Sequence, residues 1–63
     1  MNITLANALQ QFRRERALSQ QALATKLFVS VATVARWERG TTTPSTLALL
    51  ALRRVGFRAG SVI

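Results

Sequence analysis

The chain has no cysteine, no histidine, no aspartate and no tyrosine. Without cysteine no disulfide can staple the fold, and without histidine the usual zinc site cannot be assembled. The groups that ordinarily act as general bases and metal ligands reduce to Glu15 and Glu38, so no catalytic residue, no metal and no cofactor is expected. Long apolar stretches are missing too. The longest run, Leu47 to Leu52, falls far short of the ~18 residues of a membrane span. Met1-Asn2-Ile3-Thr4 lacks the basic region of a secretory signal. These absences point to a soluble protein with no membrane partner in a reducing, cytoplasmic compartment.

Acidic residues are the other scarcity. Nine Lys plus Arg against two acids leave a net charge of +7 on 63 residues. Every cation except Lys26 is arginine, the side chain suited to bidentate contact with phosphate and guanine. A merely solubilising surface normally mixes both signs, so the imbalance points to a polyanionic partner. At this length the chain makes one domain, near the lower limit for folding without staples.

Hydrophobic spacing predicts an all-α fold. Thr4 or Asn2 caps a first helix that carries Leu5, Ala8, Leu9 and Phe12 on one stripe and Gln10, Gln11, Arg14 and Glu15 on a solvated face. The helix fades near Arg16-Ala17, and Leu18 tucks under. Leu23, Ala24 and Leu27 share one face of a second helix, about Gln20 to Leu27, capped by Ser19. Val34 and Trp37 share one face of a third, about Val31 to Arg39, capped by Ser30 and stopped by Gly40. Only Phe28-Val29-Ser30 joins them, so they must cross steeply, and the small side chain of Ala24 permits it. This is a helix-turn-helix signature. Thr41-Thr42-Thr43-Pro44 is a loop. A fourth helix capped by Ser45 or Thr46 runs to about Arg54 and is apolar on more than one face, so its core side is not readable. Residues 1–56 are expected to form the domain and residues 57–63 a tail. In the tail, Phe57, Ala59, Ser61 and Ile63 would share one side of a strand that pairs with a second copy; a frayed end is the alternative.

The stretch from Leu18 to Ser45 resembles the Cro/CI (XRE) family of phage repressors and bacterial regulators. Leu18-Ser19-Gln20 stands at the entry, Ala24, Val34 and Trp37 at the fifth, fifteenth and eighteenth motif positions, and Trp37-Glu38-Arg39-Gly40 and Pro44-Ser45 at the family's spacing. The resemblance implies a compact four-helix, lambda-repressor-like domain of bacterial or phage origin, associated with the nucleoid. Two departures stand out. Phe28 occupies a position where glycine is usual, and no room is left after Gly56 for a fifth helix. The opening at Leu5 to Ala8 and the Val31-Ala32-Thr33-Val34 segment are similar to the HipB-type antitoxins, in which a C-terminal strand pairs across the dimer. On that likeness Leu52, Val55, Phe57, Val62 and Ile63 are expected at a dimer interface.

In this architecture the start of the third helix enters the major groove. Ser30, Val31, Ala32 and Arg36 are the expected base readers. Arg36 suits guanine at about 1–3 kcal/mol of discrimination, and Val31 and Ala32 suit a thymine methyl. Ser19 and Gln20 at a helix start, with Thr33, Arg39, Thr41, Thr42, Thr43 and Arg14 around them, are the expected phosphate contacts. A dimer making about three such contacts per protomer would show a log–log salt slope near −5. With two acids in the chain, each is expected to have a cationic partner, and the resemblance implies that Arg13 pairs with Glu38. Trp37 is expected in the core. The leading function is a homodimeric repressor on a palindromic duplex DNA operator with half-sites about 34 Å apart. An antitoxin that neutralises a protein toxin and regulates its own operon is the second. A cationic membrane-active or RNA-binding peptide is the third, and the spacing of the motif argues against it.

Overall fold

The computed structural model of the chain describes residues 4–57, which form α1 (Leu5–Glu15), α2 (Gln20–Leu27), α3 (Val31–Arg39) and α4 (Thr46–Arg54). Each helix starts on a hydroxyl. Thr4, Ser19, Ser30 and Ser45 sit in extended backbone, and their side chains accept from the amides of Asn7, Ala22, Thr33 and Ala48 at 3.0 to 3.2 Å. Such a cap contributes about 1 kcal/mol by satisfying an amide that the helix itself cannot pair.

The four helices also end alike. The amides of Leu18, Val29, Thr41 and Phe57 reach back to the carbonyls of Arg13, Ala24, Arg36 and Leu52 at 2.9, 3.0, 3.1 and 3.0 Å. The residue before each amide takes a positive φ: Ala17 55°, Phe28 59°, Gly40 78° and Gly56 109°. This is the Schellman ending; after α1, α2 and α4 it turns the apolar Leu18, Val29 and Phe57 back onto the core, whereas after α3 the following residue is the exposed Thr41. Glycine fits that backbone at Gly40 and Gly56. Ala17 and Phe28 adopt it at a steric cost.

The core draws on every helix. Leu9 and Phe12 enter from α1, Leu23, Ala24 and Leu27 from α2, Val34 and Trp37 from α3, and Leu52 from α4. Ala24 is wholly enclosed, where a larger side chain would hold α2 away from α3. The unreadable face of α4 is settled by burial. Leu52 points inward at 0% exposure, whereas Leu47 and Leu50 stay 79% and 47% exposed.

Two expectations are corrected here. Leu52 and Phe57 were assigned to a dimer interface, and both lie in the core of a single chain. The Schellman turn at Gly56 explains Phe57. It swings the ring back onto the bundle, where it meets Phe12 edge to face at a centroid distance of 5.5 Å. The Arg16 guanidinium lies over the Phe12 ring at 4.9 Å from its centroid and donates to the Val55 carbonyl at 3.4 Å. The domain therefore includes Phe57. Val55 is half-buried. Val62 and Ile63, and all of the expected strand except Phe57, lie outside the described residues. No helix among the described residues is long and apolar enough to cross a membrane.

Candidate nucleic-acid interface

The inward face of α3 is held by a polar cluster centred on Glu38, which is 6% exposed. Arg13 of α1 donates through Nε to Glu38 Oε2 at 2.7 Å and through Nη2 to Oε1 at 3.2 Å, a two-point fork on the carboxylate. Its Nη1 also donates to the Leu18 carbonyl at 3.0 Å, tying the pair to the turn before α2. Gln20 of α2 donates to the same Oε1 at 3.1 Å, and Gln10 of α1 donates to the Glu38 backbone carbonyl at 2.6 Å. One buried carboxylate thus fastens α3 to α1 and α2. The charged hydrogen bond to Glu38 raises the Arg13 pKa above the ordinary arginine value, so the guanidinium stays charged at every accessible pH.

Sequence reasoning missed two members of this cluster. Gln10 was placed on a solvated face, yet it is half-buried and bonded to α3. Gln20 is expected at a phosphate, and its side-chain amide also donates to Glu38, a role that expectation did not include. The available signal was spacing. Gln10 lies three residues before Arg13 on α1, so one side of that helix presents two donors to a single neighbour. Glu15, expected to pair with a cation, accepts from Gln11 Nε2 one turn away at 3.2 Å.

The outward face of α3 is different in composition. Val34, Trp37 and Glu38 are buried, which at 100° per residue turns Val31, Ala32, Arg36 and Arg39 to solvent. Val31 is 40% exposed, so its apolar side chain serves no core. Ser30 and Thr33 hydrogen-bond one another through their hydroxyls at 2.8 Å while Ser30 caps the helix. Ser19, Arg14, Arg39, Thr41, Thr42 and Thr43 are all exposed. Ser19 stands at the start of α2, where unpaired amides and the helix dipole favour an anion. Gly40 closes α3 in left-handed backbone and delivers the threonine loop beside it.

The arrangement presents arginine, small apolar side chains and a hydroxyl on one rigidly mounted helix, with donors on the segments that flank it. A family model described as helix-turn-helix matches residues 9–55, from the middle of α1 to the end of α4. No curated protein and no solved structure matches the chain.

Proposed function

The chain belongs to this helix-turn-helix family of DNA-binding regulators, and on that premise we propose that it is a repressor binding a two-fold symmetric operator as a homodimer. The observation that carries the reading is the contrast across α3, with Glu38 anchored inside and Val31, Ala32 and Arg36 free outside. Arg36 would take guanine O6 and N7, and Val31 and Ala32 would meet thymine methyls. Ser30 would place its hydroxyl at the same groove edge. Ser19, Thr33, Arg39, Thr41, Thr42, Thr43 and Arg14 would fix the register through phosphates, without reading sequence. Gln20 joins them through whatever its Glu38 bond leaves free. A net charge of +7 supports fast, salt-sensitive capture of the duplex.

Selection from a randomised duplex pool, followed by the stoichiometry of the winning complex, tests this reading. A two-fold symmetric site holding two protomers is expected, with half-sites about 34 Å apart. A site without symmetry, filled by one chain, would refute the dimer. A second reading, an antitoxin that also engages a protein toxin, is favoured by one observation: Leu47 and Leu50 form an apolar stripe on α4 that is exposed among the described residues.

A further inference from the structure

Phe28 is the residue whose placement the fold alone leaves unexplained. It closes α2 in left-handed backbone, with φ 59° and ψ 39°, a conformation that disfavours any side chain with a Cβ. The equivalent closing positions of α3 and α4 are Gly40 and Gly56, and that of α1 is Ala17, whose methyl is the smallest side chain that incurs the cost. Phe28 incurs the same backbone cost and recovers nothing by burial, since its ring is 96% exposed. Val29, the next residue, supplies the apolar contact that the ending requires. Stability therefore gains nothing from the ring, on either the backbone or the packing side.

Its position suggests what the ring is for. Phe28 lies three residues before Val31, hence within about 10 Å of the first turn of α3. The two side chains are the exposed large apolar groups at that end of the helix. Ser30 caps the helix between them with its hydroxyl turned back on Thr33. Resting on the DNA-binding reading above, we propose that Phe28 is a specificity residue that packs against a thymine methyl in the major groove. It would extend the apolar strip of Val31 beyond the end of α3. The thymine methyl is the one apolar group that the major-groove edge of a base pair displays, and a phenyl ring is a fitting partner for it.

The test uses the selected duplex and Phe28→Gly, a change that relieves the backbone and so does not threaten folding. The variant is expected to melt about 4 °C or more higher than the parent, yet to bind the selected duplex about fourfold more weakly. Replacing each thymine in turn by deoxyuridine removes one methyl at a time. The parent should lose about fourfold at each thymine whose methyl is buried, and at one such thymine of each half-site, distinct from those that Val31 and Ala32 meet, the variant should be indifferent. Unchanged affinity in Phe28→Gly, or deoxyuridine penalties that survive it undiminished at every thymine, overturn the proposal. If the parent itself does not prefer the selected duplex over a scrambled one, the DNA-reading function fails first and this proposal falls with it. The two failures are thereby told apart.

Discussion

The two faces of α3 obey different rules. On the inner face Trp37 and Val34 are packed, and Glu38 meets Arg13 and Gln20 while its backbone carbonyl meets Gln10. On the outer face Val31, Ala32, Arg36 and Arg39 touch little that the chain itself provides. A helix needs only the first face to be stable. The second face, with its arginines and an exposed valine, is explained by something outside the chain. The inner face combines an apolar seam with a polar anchor, the two-point fork that ties Glu38 to Arg13 at 2.7 and 3.2 Å.

Breaking the inner face should have the largest effect. Trp37→Ala is expected to cost about 3–5 kcal/mol. That matches the whole stability of a domain this small, about 5 kcal/mol, so the variant should show no cooperative melt by circular dichroism. Arg13→Ala comes next, at about 3 kcal/mol, because it leaves a buried carboxylate with only an amide partner. The lower end of the range applies since the Arg13 side chain is 18% exposed. A double-mutant cycle with Glu38→Ala should show the two losses to be strongly non-additive. Additive losses would mean that the pair does not act as an anchor.

The helix limits were readable because local chemistry marks them. Ser19, Ser30 and Ser45 each precede an apolar stripe, and Gly40 follows one, so caps and periodicity agree. What was not readable depends on where a chain goes after a helix ends. Phe57 looks like the first residue of a tail until the turn at Gly56 sends it back to Phe12. Leu52 cannot be told from Leu50 by type, and only packing decides that one is enclosed and the other open. Gln20 has the composition of a surface residue, and a buried acceptor on another helix gives it an inner role.

Changes on the outer face should leave stability alone and alter binding. Arg36→Ala is expected to cost about 1–3 kcal/mol of preference at one base pair of each half-site, with a melting curve like that of the parent. A loss of stability instead would put Arg36 on the structural side of the comparison. The smallest effect is expected away from both faces. Ala17→Gly should raise stability by about 1 kcal/mol by relieving the left-handed backbone that ends α1. Its affinity for DNA, read by fluorescence anisotropy, should equal the parent's.

The most direct measurement is a titration of the selected duplex against a scrambled duplex of the same composition at physiological salt. If the outer face of α3 reads bases, the selected duplex should be preferred by about a thousandfold or more. Equal binding of the two would contradict the account and leave the net positive charge as the sole basis of attraction.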